Sequence, residues 1–384
     1  MNNFLKRCLC AAAALCAACA PDTRETMVGL GTEAESLKGL SQIVEQFDSV
    51  PIEHGAEQDD GAEPQEEAVY TVKIESTALG TVRPNEIGHI MIIMFHGLDR
   101  NSASEPYMCT VAEFKNFLQR LYDEGFRTIS LSDLINNNIT TPAGYTPVVL
   151  TFDDGLATAF SLTTAEDRLV PVPDCAVDIM DRFAEEHPDF GRAATFFING
   201  RIQTFQGEGT LAERMQYLLD NGYEIGNHTY SHARLLGASA AEIQSEMGRL
   251  DQLVRAAAPD FQMTAMAYPY GERPVLELRQ YVLDGIYDGM EYHYKWALKE
   301  GQNGASAAPN RSNFDPLAVP RVRGTATAPT DLGWYFDYYS QHPGARYISD
   351  GNPNVIAIPE SAVENLNLDS LGAKDLLVYE ETSS

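Results

Sequence analysis

Two carboxylates stand side by side in Thr151-Phe152-Asp153-Asp154-Gly155, directly after the apolar run Pro147-Val148-Val149-Leu150. The pattern predicts a buried strand that ends at a turn. Neighbouring side chains on an extended segment point to opposite faces, so adjacent acids there meet different surroundings. One can serve as a metal ligand and the other as a proton acceptor. Taken alone, the pair also fits an ordinary capping turn. Downstream, Gly226-Asn227-His228-Thr229-Tyr230-Ser231-His232 places two histidines four apart. On one side of a helical turn such a pair can chelate a single ion. With one carboxylate it makes a set of two nitrogens and an oxygen with open positions. That set suits Zn²⁺ in hydrolysis, or Fe²⁺, Co²⁺, Ni²⁺ or Mn²⁺.

Such residues need a scaffold, and the pattern around them supplies one. Ile90 to Phe95 is a continuous apolar run, expected as a buried parallel strand with His96-Gly97 at its C-terminal end. Phe114, Phe117, Leu118 and Leu121 follow helical spacing up to Gly125. Further strands are expected at residues 128–131, 148–152, 193–198, 224–226 and 264–268. Helices are expected over 176–186, through Met215, Leu218 and Leu219, and through Ile243, Met247, Leu250 and Val254. Alternating strands and helices predict an α/β fold, a parallel sheet or barrel with helices outside. In such folds the active site forms beyond the C-terminal strand ends. His96, Asp153-Asp154, His228 and Tyr268-Pro269-Tyr270 all fall at such ends.

The chain has 384 residues and a formal net charge of −28. That balance argues against binding a nucleic-acid backbone, which needs a basic surface, and against anionic membranes except through a covalent anchor. Lys6 and Arg7 precede a short run of Ala, Leu and Cys that ends at Cys19-Ala20-Pro21. This reads as an export signal over residues 1–19, too short to span a bilayer. Leu15 to Cys19 is similar to a bacterial lipoprotein signal with Cys19 as the lipidated residue, although Cys16 stands where an aliphatic residue is usual. The expected location is therefore outside the cytoplasm, on a membrane. Residues 20–85 read as a flexible acidic tether with one short helix at Leu37 to Phe47, and residues 86–384 as the catalytic domain. Beyond the signal only Cys109 and Cys175 remain, either as a disulfide or as two free buried thiols. Gly301 to Asn313 reads as an exposed loop. Tyr335, Tyr338, Tyr339 and Tyr347 read as packing residues rather than sugar-stacking rings, and Val355 to Ile358 as a strand.

Thr151 to Gly155 and His228 to His232 together resemble the polysaccharide deacetylases, carbohydrate esterase family four, with their NodB-like domain. Ala194-Thr195-Phe196-Phe197, Asn221 to Thr229, Ala267-Tyr268-Pro269-Tyr270-Gly271 and Val319-Pro320-Arg321-Val322 extend the resemblance over residues 86–360. It implies a distorted (β/α) barrel with fewer than eight strands. It implies a divalent metal, Zn²⁺ first among the candidates, on Asp154, His228 and His232, and an acetylated polysaccharide or oligosaccharide as substrate. Asp153 would be the general base toward a water held by the metal, and the backbone N–H of Tyr270 would face the developing oxyanion. Ala267 stands where many members carry an arginine that orients the base, and Arg321 is the candidate substitute. The histidine that many members supply from a late strand is missing, and a branch with rearranged strand order points to His96 as general acid. The rival readings are a non-catalytic carbohydrate-binding envelope protein on the same fold, and a hydrolase of other C–N or ester bonds.

Overall fold

The structure, a computed structural model, describes residues 69–73, 79–103, 106–201, 204–301, 304–326 and 328–381. All lie in the compact unit Gln65–Ser384. The signal segment, Cys19 and the helix expected at Leu37 to Phe47 fall outside the described residues. In chain order the strands are β1 (Val69–Lys73), β2 (His89–Phe95), β3 (Leu98–Asp99), β4 (Cys109–Thr110), β5 (Phe126–Thr128), β6 (Thr146–Asp153), β7 (Leu162–Ala165), β8 (Arg168–Pro171), β9 (Thr195–Ile198), β10 (Glu224–Asn227), β11 (Ala265–Ala267), β12 (Asp284–Tyr287), β13 (Met290–His293), β14 (Trp296–Leu298), β15 (Ser306–Ala307), β16 (Val322–Arg323), β17 (Val355–Pro359) and β18 (Asp375–Glu380). Outer helices include α1 (Val111–Asp123), α2 (Leu131–Ile135), α3 (Ala176–Glu186), α4 (Leu211–Asp220), α5 (Ala240–Ala257) and α6 (Leu332–Gln341).

A curled sheet runs β14-β11-β10-β9-β6-β2, and β16 adds to β2 in parallel. A parallel bridge from Leu298 to Val319 joins the last strand to the segment that leads into β16. The ring is thereby closed as a distorted α/β barrel of seven parallel strands. β6 carries two neighbours along one edge, β5 beside Thr146–Val148 and β9 beside Thr151–Asp153. The pleat sorts its residues into two cores. Met91, Ile93 and Phe95 of β2 pack outward with the helices, and so do Leu150 and Phe152 of β6. Ile90, Ile92, Val149, Phe197, Ala267 and Leu298 form a second, inner core. Thr151 and Asp153 share the pleat face of Val149, so Asp153 points into the barrel at its C-terminal end.

Three helices start on the same device. Thr110 with Glu113, Thr210 with Glu213 and Ser239 with Glu242 each form a capping box that satisfies orphan N–H groups at the N-termini of α1, α4 and α5. In α1 the buried residues are Phe114, Phe117, Leu118 and Leu121, the stripe expected from spacing.

Several expectations need correction. The tether does not run to residue 85, because β1 pairs in parallel with β18 in a three-stranded sheet, β1-β18-β17. The strand expected over 128–131 stops at Thr128; Ser130 caps Asp133 N–H and opens α2. Gly301 to Asn313 is not an exposed loop, since β15 pairs with β2 and Gly301, Ser306, Ala308 and Asn310 are buried. Cys109 and Cys175 are both free and buried. Tyr335, Tyr339 and Tyr347 are buried, which agrees with packing; the helix α6 that carries the first two was not foreseen. Among the described residues no helix is long and apolar enough to cross a membrane.

Candidate active site

β6 delivers the acidic pair, and the backbone separates its members. Asp153 ends the strand in extended geometry, whereas Asp154 turns left-handed with φ 72°. Asp153 is therefore buried at 2% exposure while Asp154 stays half-buried in the mouth of the barrel. The histidines follow β10 on an irregular turn, not a helical one. Thr229 and His232 both take positive φ, 62° and 55°, and this irregular turn swings both rings to one side. Their centroids lie 5.0 Å apart. Asp154 Oδ1 is 3.6 Å from His228 Nε2 and 3.4 Å from His232 Nε2. Donor atoms of Asp154, His228 and His232 all lie within 4.8 Å of one another, a spacing able to hold a metal ion. The donor chemistry fits as well. His228 Nδ1 is 2.9 Å from the carbonyl oxygen of Ala267, which can only accept. The proton therefore sits on Nδ1, and the Nε2 lone pair faces Asp154.

Arg321 enters the barrel from the opposite wall and is fully buried. Its Nη1 and Nη2 donate to the two oxygens of Asp153 at 2.7 Å each. Nη1 also donates to Thr151 Oγ1, and Nε to the Lys299 carbonyl. The guanidinium lies 5.5 Å over the Phe197 ring. Burial alone would raise the Asp153 carboxyl. Arg321 first, then His228 and His96, outweigh it and hold the group well below the usual carboxylate range. Ala267, in the inner core, has no side chain to reach Asp153; the arginine comes from the segment just before β16.

His96 follows β2, with Nε2 4.0 Å from Asp154 Oδ2 and its ring 5.5 Å from that of Tyr107. Burial lowers its pKa, and Asp153 and Asp154 pull the other way. Burial and then the neighbouring His228 lower the pKa of His232. Tyr270 sits in a 3-10 turn after Pro269 with φ 59°. Its ring packs 4.6 Å from His232 and lies under the Arg234 guanidinium at 3.9 Å. A left-handed tyrosine or threonine stores backbone strain of about 1–3 kcal/mol. Here that strain concentrates on the turns that aim the site. All seven residues expected from sequence thus line one end of the barrel.

The supports of the histidine turn were missed. Asn199 Nδ2 donates to the carbonyls of His228 and Thr229. Asn227 Oδ1 accepts from Thr229 N–H, and its Nδ2 donates to Met247 O and Tyr294 Oη. Glu246 of α5 accepts from both the N–H and the hydroxyl of Ser231. The one sequence signal was Asn199, a polar residue just past the apolar strand Thr195–Ile198.

With this geometry in place, comparison with known proteins gives it a class. The polysaccharide deacetylase family profile matches residues 141–282, so this stretch of the chain is similar to a polysaccharide deacetylase domain. The match includes Asp153, Asp154, His228, His232 and Tyr270 but neither His96 nor Arg321. The chain is similar to a chitooligosaccharide deacetylase of Bradyrhizobium sp. (strain ANU 289), 30% identical over 137 residues, 36% of this chain and 52% of the relative. A chitin deacetylase of Arthroderma benhamiae is 27% identical over 153 residues, 38% of this chain and 35% of the relative. The chain thus spans about half the length of the first relative and about a third of the second. Among solved structures, the Streptococcus pyogenes deacetylase PplD in complex with acetate aligns with a TM-score of 0.46 and 20% identity, covering 61% of this chain and 92% of that one.

Proposed function

We propose that this chain is a metal-dependent hydrolase that removes acetyl groups from an N- or O-acetylated polysaccharide. The observation that carries the reading is the convergence of Asp154, His228 and His232 beside an arginine-clamped carboxylate, Asp153, within a domain of deacetylase type. Asp154 Oδ1 and the Nε2 atoms of His228 and His232 would hold the cation, with Zn²⁺ the best fit to two nitrogens and one oxygen. Such a cation supplies Lewis acidity and lowers the pKa of water in its shell.

The chain's own groups carry the rest. Asp153, kept ionised and oriented by Arg321, takes the proton of the attacking water. The water oxygen bonds to the acetyl carbonyl carbon, and the Tyr270 N–H donates to the oxygen that gains charge. The C–N or C–O bond then breaks, acetate leaves, and His96 Nε2 gives a proton to the departing amine or alkoxide. The N-terminal sequence supports placing the domain outside the cytoplasm, on a membrane, through a lipid on Cys19. Cys19→Ala should then move the protein from the membrane fraction to the soluble one, and no shift refutes the anchor.

The direct test is acetate release from acetylated polysaccharides, with chelation and metal add-back. Release should stop on chelation and return with Zn²⁺. Asp154→Ala and His228→Ala should lose both bound metal and activity. Metal-independent release, or release by His228→Ala at the unaltered rate, defeats the metal assignment. No release from any acetylated glycan defeats the hydrolase reading.

A further inference from the structure

The turn that carries the Tyr270 N–H holds two consecutive left-handed residues, Tyr270 at φ 59° and Gly271 at φ 64°. Glycine takes that geometry freely, whereas a Cβ makes it strained. Two hydrogen bonds close the turn, from Gly271 N–H to the Tyr268 carbonyl and from Glu272 N–H to the Pro269 carbonyl. The Tyr270 N–H, at the start of the turn, takes part in neither. The entry to the turn is anchored: Tyr268 and Pro269 are buried, and the Tyr268 hydroxyl donates to the Leu317 carbonyl. The Tyr270 ring, by contrast, stands out at 46% exposure. Arg234 grips it from the neighbouring loop, two residues after His232. Its guanidinium lies 3.9 Å from the centre of the Tyr270 ring and pairs with the Glu272 carboxylate. One planar group thus holds the turn at residues 270 and 272, on either side of Gly271. A ring face attracts a cation, and a guanidinium is suited to stack on a ring and bond a carboxylate at once, as an ammonium is not.

We propose that Arg234 is a positioning residue for the oxyanion donor: it ties the histidine turn to the Tyr270 turn and keeps Tyr270 left-handed, so that its N–H stays aimed where charge develops. The inference rests on the hydrolase reading above. An exposed ion pair adds little to stability, and Arg234 is 59% exposed, so global stability does not account for the arrangement. Its place does. Arg234 follows one metal-ligand candidate closely in sequence, and the ring it covers packs 4.6 Å from that same residue, His232. The two turns that must face one acetyl group are therefore fastened to each other. A hydrogen-bond donor stabilises a developing charge because it is fixed beforehand and need not reorganise. Were Tyr270 to relax to negative φ, the peptide plane would rotate and carry its N–H off target. The grip of Arg234 opposes that relaxation at the one strained side chain of the turn.

The test uses the full chain and the acetylated polysaccharide from which the unaltered protein releases acetate fastest. At saturating zinc, Arg234→Met should lower kcat about tenfold, part of what losing an oxyanion donor costs, with KM and zinc affinity nearly unchanged. Arg234→Lys should restore only part of the loss, because an ammonium does not stack on the ring as a guanidinium does. Asparagine accepts positive φ, so in a Tyr270→Asn background the turn no longer needs the grip. There Arg234→Met should cost less than about twofold. A second measurement needs neither zinc nor turnover. In the zinc-free chain, amide hydrogen exchange at Gly271 and Glu272, whose N–H groups close the turn, should speed up in Arg234→Met, while exchange at Asn227 in β10 stays as it was. An unchanged kcat overturns the inference. So does an equal loss in both backgrounds, which would put the guanidinium on the substrate, and so does a loss that excess zinc restores, which would put it on the metal ligands. If the unaltered protein releases no acetate, the hydrolase reading fails and the catalytic role of Arg234 falls with it. Acetate release with unaltered exchange at Gly271 and Glu272 sinks the inference alone.

Discussion

Asp153 and Glu86 are both carboxylates at 2% exposure, and the fold treats them in opposite ways. Asp153 lies at the mouth of the barrel with a bidentate arginine, and its carboxyl is held low. Glu86 lies beside the strand β17. It accepts from the N–H groups of Ala357 and Asp350, with no arginine on it. Burial, and then the neighbouring charge of Asp350, push Glu86 up to about 8. Two backbone donors, the Tyr347 hydroxyl and the neighbouring Lys374 charge do not offset desolvation; a guanidinium with two parallel bonds does. A buried acid therefore becomes a standing proton acceptor only where the fold also buries a cation. That is why Arg321 belongs to the site as much as Asp153 does.

The strongest way to break this contrast is to remove the cation. Arg321→Met should turn Asp153 into an acid of the Glu86 kind, neutral in its burial. Turnover should fall by about 10²–10⁴, and the loss of one partner from a buried pair should remove roughly 3–5 kcal/mol of stability. Kinetics and a denaturant titration read both, and Arg321→Met with near-normal turnover would refute the pairing argument. Arg321→Lys should rescue little, because a point charge cannot make two parallel bonds. Next in size is Asp153→Asn. It should lower kcat by about 10²–10⁴ while zinc content stays at one ion per chain, as expected for a base rather than a ligand. Loss of zinc in Asp153→Asn would reverse the roles assigned to the two aspartates.

How much of this was legible follows from the kind of signal each residue carries. The barrel strands were readable because β2, β6 and β9 are apolar on both faces, and the helices because Phe114 to Leu121 keep one stripe. His96, the Asp153-Asp154 pair and His228 were readable because each stands where an apolar strand stops, whereas Arg321, just before β16, was legible only through the resemblance. Closure of the ring was not, since Leu298 and Val319 meet across a single bridge with no periodicity of its own. The backbone of the histidine turn was not legible, because spacing reports which residues approach, not the backbone that brings them. Positive φ at Thr229, a β-branched residue, has no sequence signature. β1 escaped because its partner β18 is some 300 residues away, on the order of the whole domain, although Val69-Tyr70-Thr71-Val72 is itself strand-forming in composition.

The turn offers a milder test of where the geometry comes from. Glu246 touches no reacting group, yet it holds Ser231 by two hydrogen bonds between the two histidines. Glu246→Ala should weaken zinc affinity by about 10–100-fold, the usual effect of removing a ligand's support, with a far smaller change in kcat once zinc is saturating. An unchanged affinity would mean that the left-handed residues hold the turn unaided.

The smallest effect on activity, and the cleanest on stability, belongs to Glu86. An acid with a raised pKa binds its proton more tightly in the folded state than in the unfolded one. Unfolding then releases protons between the unfolded value near 4.5 and the folded value of about 8, so stability falls as pH rises through that window. Asp153 has the opposite sign. Its contribution is present above the unfolded value of 3.8 and is lost only as pH falls below it. Between about pH 5 and pH 8 Asp153 is therefore silent and Glu86 is not. Glu86→Gln removes the ionisable group and keeps the shape. Relative to the unaltered protein it should gain roughly 4 kcal/mol at about pH 8, several degrees in melting temperature, and less than about 1 kcal/mol at about pH 5. A gain equal at both pH values would show that Glu86 is ionised throughout, and that the two backbone donors match what the arginine does for Asp153.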